Sequence, residues 1–243
     1  MTKKKEDNKP QEVKTEITLA DFTLFFELEN ILACARERLF QQVADSMKKW
    51  NKELTVPEFS RYCLYPLPKH FAPKLMAAFG LTSEQTGKWA SELEAGRIAY
   101  LTSPGLKVHA GMKALIEAAL AKGLPVCTLS ALTPTQTQNL LTHAGLGDAG
   151  VEIFCSDEVD ASFPRADTWM KMARELNKTS RRCVVFAGSS RACKAALSSG
   201  MRSVAVPDAY TSFQDYSGSE MILEGEKGWK SEDILKFLYP VGR

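Results

Sequence analysis

Histidine is scarce in this 243-residue chain. The three present, His70, His109 and His143, lie far apart, and none of the six cysteines stands in a C-x-x-C pair. Zinc-site spacing is therefore missing. Cys127 and Cys183 sit in the apolar runs 125–129 and 182–186, and read as buried free thiols of a protein in a reducing cytoplasm. Charge of one sign is lacking too. Lys+Arg 31 against Asp+Glu 29 leaves a net +2, which carries no nucleic-acid footprint and no acidic tail. No run reaches the about 18 apolar residues of a membrane span. The charged start Met1–Pro10 has no apolar stretch of a signal peptide, and its acids argue against a transit peptide. No short-period repeat occurs, which removes solenoids and propellers.

What is present is an ordinary globular composition, 44% hydrophobic and 25% charged, enough for one core domain and a smaller insert. Residues 1–17 read as a solvated, disordered tail. An apolar strand, Leu24-Phe25-Phe26, leads into Glu27-Leu28-Glu29-Asn30. Leu39, Val43 and Met47 then recur at helical spacing, four prolines between 57 and 73 punctuate short segments, and a further helix runs to about Leu101. Beyond Ser103-Pro104-Gly105, apolar runs near 124–129, 151–155, 183–186 and 203–206 alternate with helical patterns at 111–121, 134–144, 167–176 and 191–199. Strands separated by helices imply right-handed crossovers and a parallel sheet.

Four spaced segments together carry a family resemblance. Leu24–Leu32 resembles the first motif of the haloacid dehalogenase (HAD) superfamily, an apolar strand then Asp-x-Asp-Gly, with Glu27 and Glu29 for the aspartates and Asn30 for the glycine. Ser130, in Leu129-Ser130-Ala131, stands where the second motif places its Ser or Thr. Ser162-Phe163-Pro164-Arg165-Ala166-Asp167 is similar to Gly-Lys-Pro-x-Pro-Asp, with Phe163 at the lysine position. Val185-Phe186-Ala187-Gly188-Ser189 resembles Val-Phe-Glu-Asp-Ser, with both acids gone at Ala187 and Gly188. The order fits the phosphoglycolate phosphatase and β-phosphoglucomutase-like branch. It implies an α/β, HAD-like Rossmannoid parallel sheet with helices on both faces over residues 18–33 and 103–243, and an all-helical cap inserted at 34–102.

The resemblance implies phosphotransfer by a nucleophilic aspartate, a second aspartate as acid and base, a hydroxyl and a lysine on the phosphoryl oxygens, and Mg²⁺ held partly by the fourth-motif acids. In this sequence those roles fall to Glu27, Glu29, Ser130 and, two residues beyond Phe163, Arg165. Glu27 carries one methylene too many for an attack geometry in which about 1 Å of misplacement costs on the order of a hundredfold. Phe163 brings no positive charge to a transferring group, and one such donor is worth roughly 2.7–4 kcal/mol. With Ala187 and Gly188, only Glu27, Glu29 and backbone oxygens remain for a metal that wants octahedral oxygen ligation, so Mg²⁺ binding is expected to be weak or nil.

The leading expectation is a cytoplasmic HAD-fold protein that has lost phosphotransfer and binds a small molecule or a protein, with no cofactor, no nucleic acid and no membrane. The alternative is a Mg²⁺-dependent phosphatase of a small phosphorylated metabolite, rearranged around Glu27, Glu29, Ser130 and Arg165, with Asp157 or Asp160 approaching from the preceding loop. A third reading, a dehalogenase-like hydrolase, needs no metal but still needs a nucleophile at Glu27. Ser189, Ser190 and Arg191, followed by Lys194, form either an anion cradle at a helix start or simply a helix cap. Arg61, Tyr62, Lys69 and His70 are a substrate-reading cluster or plain solvated cap surface, and the dispersed Trp50, Trp89, Trp169 and Trp229 read as packing residues.

Overall fold

The computed structural model describes residues 17–240, apart from 82 and 157. The expected tail and Asp157 therefore lie outside the described residues, Ile17 excepted. Six strands, β1 (Thr23–Glu27), β2 (Val126–Ser130), β3 (Glu152–Cys155), β4 (Cys183–Ala187), β5 (Arg202–Ala205) and β6 (Met221–Ile222), form one sheet in the order β3-β2-β1-β4-β5-β6. Every pairing is parallel, with Glu27 opposite Leu129 and Phe26 opposite Phe186.

β1, β2 and β4 are buried along their whole length, which is why their sequences are continuous apolar runs without a polar face. Alternate residues serve opposite layers. Leu24, Phe26, Val126, Val184 and Phe186 pack with α5 (Ala110–Ala121), α6 (Pro134–His143) and α9 (Ser231–Leu238). Phe25, Cys127, Leu129 and Val185 pack with α7 (Ala166–Glu175) and α8 (Ser190–Ser198). Between β1 and α5 lie four helices, α1 (Ala35–Lys48), α2 (Val56–Tyr62), α3 (Pro68–Ala78) and α4 (Thr86–Leu101), with an apolar cluster of their own. Tyr210, from the segment after β5, enters that cluster, its ring 5.0 Å from Phe59 and 5.4 Å from Phe40.

Local chemistry starts and stops these elements where the sequence suggests. Thr133 caps α6 through the Gln136 N–H with Gln136 reaching back, and Thr55 does the same for α2 with Glu58. Gly123, Gly145 and Gly200 follow α5, α6 and α8 at positive φ, the left-handed backbone that favours glycine. The two-residue β6 carries no period, and α9 stands apart from any alternating strand, so neither is legible in advance.

The six cysteines form no disulfide, and Cys63, Cys127, Cys183 and Cys193 are buried. Trp89 and Trp169 are buried, and Trp50 and Trp229 pack on Trp89 and His109. Among the described residues no helix is long and apolar enough to cross a membrane. Trp169 is fully buried and stacks on Phe25 at 6.3 Å. Trp169→Ala is expected to lower the unfolding free energy by about 3–5 kcal/mol, measured by urea denaturation; a loss under about 1 kcal/mol would contradict that packing role.

Candidate functional site

In an open α/β sheet the binding crevice lies beyond the carboxyl ends of the strands, where the strand order reverses. Here that point falls between β1 and β4, and Glu27 is the last residue of β1. A five-residue π-helical turn, Leu28–Leu32, follows at once, and after Ala33 the left-handed Cys34, at a φ of 48°, opens α1. Glu29 rides on that turn. A cavity of about 60 Å³ lies between this strand end and α1, α4 and the segment 63–66, lined among others by Glu27, Glu29, Arg36, Arg97, Phe163 and Arg191. That is room for a few waters or one small polar group.

Both glutamates are buried, at 7% and 8% exposure, and both are satisfied from within the chain. Glu27 Oε2 accepts from the Gly188 N–H at 2.7 Å. Burial pushes the Glu27 carboxyl above its ordinary 4.5, and the positive charge of Arg36 and the Gly188 N–H pull it back only in part. Glu29 Oε1 accepts from Ser130 Oγ at 2.9 Å and from the Ala131 N–H at 2.7 Å. Ser130 Oγ also accepts from the Leu132 N–H at 3.1 Å and from Thr137 Oγ1 at 3.0 Å, so its hydroxyl is committed to Glu29 and does not line the cavity.

Three arginines surround the carboxylates. Arg36, in the first turn of α1, is 8% exposed and its Nη1 lies 2.6 Å from Asp208 Oδ2. Burial alone would depress it, but Asp208 and Glu27 hold it above its usual value. Arg97, on α4, donates through Nε and Nη2 to both oxygens of Glu94, at 2.9 and 2.7 Å. Arg191 donates to the carbonyls of Ala161 at 2.7 Å and Leu64 at 3.0 Å and lies over the Tyr65 ring at 5.7 Å, which ties α8 to the chain between α2 and α3. Its Nε is buried without a partner.

Of the residues expected from sequence, Glu27, Glu29, Phe163, Ser189 and Arg191 line the cavity. Ser130 is bonded behind Glu29, and Gly188 behind Glu27. Ala187 is wholly buried in the layer formed with α7 and α8. Phe163 belongs to that layer with Leu129 and Trp169, an aromatic wall where the resemblance asks for a lysine. Arg165 is not brought to the cavity, contrary to the expectation of a substitute cation: Asp160 at 2.7 Å and Asp167 at 3.2 Å hold its guanidinium on the outer surface. Asp160 is spent there, accepting from Ser162 as well. Ser189 is the α8 cap, accepting from the Ala192 N–H at 3.3 Å, whereas Ser190 turns to Gln214 and Asp215. Arg61, Tyr62, Lys69 and His70 do not line the cavity; their neighbours Cys63, Leu64, Tyr65 and Pro66 do.

Arg36 and Arg97 were not among the expected residues, although a sequence signal exists. Arg36 shares one helical stripe with Leu39, Val43 and Met47, and Arg97 shares one with Leu93 and Leu101. A charge on a buried stripe requires a partner.

The donor set does not fit Mg²⁺. Each glutamate has an oxygen engaged by N–H or O–H donors, no side-chain oxygen comes from residues 187 and 188, and the described residues hold no group of three or more His, Cys, Asp or Glu placed for a metal. Mg²⁺ demands near-octahedral oxygen ligation.

No protein-family profile matches the chain, and no curated protein matches it by sequence. Solved structures do. A predicted phosphoglycolate phosphatase from Haemophilus somnus 129PT superposes with TM-score 0.69 at 15% identity, covering 90% of this chain and 98% of that one. A β-phosphoglucomutase from Clostridium difficile gives 0.67 at 14%, covering 89% and 96%. A HAD family hydrolase from Deinococcus radiodurans R1, with bound phosphate and sodium, gives 0.66 at 17%, covering 90% and 96%. The chain thus has the fold of the HAD superfamily's phosphoglycolate phosphatase and β-phosphoglucomutase-like branch.

The raised Glu27 carboxyl has a consequence for stability. Between 4.5 and its folded value the folded state binds the proton more tightly than the unfolded one, so Glu27's contribution is fully present below pH 4.5 and is lost as pH rises through the folded value. Glu27→Gln keeps an acceptor for Gly188 and cannot ionise. Urea denaturation from about pH 4 to 8 should show the stability difference moving in the variant's favour as pH rises; parallel profiles would mean that Glu27 does not titrate upward.

Proposed function

We propose that this HAD-fold protein has lost phosphotransfer and acts by binding, taking a small ligand into the cavity under α1–α4 or engaging a partner protein. The observation that carries this reading is the Glu29 carboxylate seated on Ser130 Oγ and the Ala131 N–H. Those two donors converge on one oxygen, the geometry that an oxyanion requires. An internal carboxylate already fills it, so a phosphoryl group entering there has to displace a buried, doubly hydrogen-bonded anion. Charge-assisted bonds of this kind are worth roughly 1.5–3 kcal/mol each.

Two further observations point the same way. Phe163 supplies an apolar wall instead of a cation. Glu27, at the nucleophile's position by resemblance, spends an oxygen on Gly188. These defects touch separate parts of one transition-state apparatus, whose contributions do not add independently, so repairing one is not expected to restore turnover.

Purified protein should hydrolyse no member of a broad panel of phosphorylated metabolites above a Glu27→Gln control, and Phe163→Lys should remain at that background. Turnover at ordinary enzyme rates of roughly 1 to 10³ per second, abolished by Glu27→Gln, would overturn the reading. Glu29→Ala vacates the cradle without touching Ser130. Calorimetric titration with inorganic phosphate should then show binding at least about tenfold tighter than to the unaltered protein, and equal affinities would mean that Glu29 is no barrier.

A further inference from the structure

Gly188 lies where the resemblance places an acid, and the space its side chain would occupy is taken. A Cβ built there meets Arg36 Nη1 at 3.0 Å and Nη2 at 3.3 Å, and the Ile31 Cγ2 methyl at 2.8 Å. The guanidinium is pinned in that position. Its Nη1 lies 2.6 Å from Asp208, and Asp208 is itself fixed by the Tyr210 N–H at 2.9 Å and Thr211 Oγ1 at 3.1 Å on its other oxygen. Its charge also acts on Glu27, which is the last residue of β1. One buried monovalent cation is thus paired with Asp208 and lies against Gly188, whose N–H holds the Glu27 carboxyl, at the place where the resemblance puts a divalent ion and its acidic ligands.

We propose that the Arg36 guanidinium is the built-in cation of this site, paired with Asp208 and set beside the Gly188–Glu27 contact in place of a divalent metal. The inference concerns the cation position alone, and it holds whether or not the neighbouring oxyanion cradle is closed by Glu29. Arg36 belongs to α1, whereas Glu27 and Asp208 belong to the sheet and the segment after β5. The same guanidinium therefore docks the helical layer onto the strand ends, a task that a diffusible ion cannot perform by itself. A planar, always-charged guanidinium suits a fixed two-carboxylate position better than the compact, strongly hydrated lysine ammonium.

The experiment is a Mn²⁺ titration of the full chain, followed by electron paramagnetic resonance for bound ion and by melting temperature. The unaltered protein and Arg36→Lys should bind no ion below about 1 mM and show no metal-dependent shift. Arg36→Ala leaves two carboxylates without their cation, so its melting temperature should fall by roughly 6–20 °C. Mn²⁺ at millimolar concentration should recover part of that loss with one ion bound, and a further Glu27→Gln change should abolish the recovery. Should Arg36→Ala fail to fold, Arg36→Gln, which keeps a donor to Asp208 but no charge, carries the same measurement. The proposal is overturned if the unaltered protein binds one ion that Glu27→Gln removes, or if a folded variant lacking the arginine charge is indifferent to Mn²⁺. Phosphate-ester hydrolysis, read separately, bears on the function proposed above and leaves this result unchanged.

Discussion

Two glutamate carboxylates buried at the end of the central strand set the terms for everything around them. An ionised carboxylate in a low-dielectric interior is tolerated only when hydrogen bonds and opposite charges answer it. Gly188 answers Glu27 with its N–H, Ser130 and Ala131 answer Glu29, and Arg36 supplies the charge. Each answer comes from a different place, the ends of β4 and β2 and the start of α1, so satisfying the two side chains also fixes how strand ends and helical layer meet. The neighbouring guanidinia are constrained in turn, since Arg36 needs Asp208 and Arg97 needs Glu94.

Such a site is self-contained. In an enzyme, donors and cations at a strand end stay available until substrate arrives, and their preorganisation is the source of rate. Here Ser130 and Ala131 already hold the Glu29 side chain, and Arg36 is paired with Asp208. On the reading proposed above, the energy that a phosphotransferase directs at its transition state instead stabilises the resting molecule. Fold and chemistry are separable for this reason: the parallel sheet needs only apolar strands and crossovers, while turnover needs groups left unsatisfied.

The layered core was legible in the sequence because its signals are local and redundant. Leu39, Val43 and Met47 mark α1 by spacing alone, and Thr133 with Gln136 marks the start of α6. Two elements escaped, β6 and α9, the first because two residues carry no period and the second because it stands apart from any alternating strand. The site was legible as a set of positions. Glu27, Glu29, Phe163 and Arg191 do meet, since strand ends and the turns after them are brought together by the sheet itself. Arg165 was misplaced because a sequence shows that an arginine stands nearby, not that Asp160 and Asp167 hold it elsewhere.

By itself, then, the sequence determined the order of strands and helices from β1 to β5, the absence of fourth-motif acids and the presence of glutamates at and just after the end of β1. These follow from residue identity and short-range periodicity. Only the tertiary structure decided which donor each glutamate takes, and that Arg36 lies against Gly188 beside Asp208, 172 residues away in the chain. The physical reason is that burial and ion pairing are properties of assembled layers. A carboxylate's partners depend on which strand ends lie within about 3 Å of it, and chain distance places no limit on that.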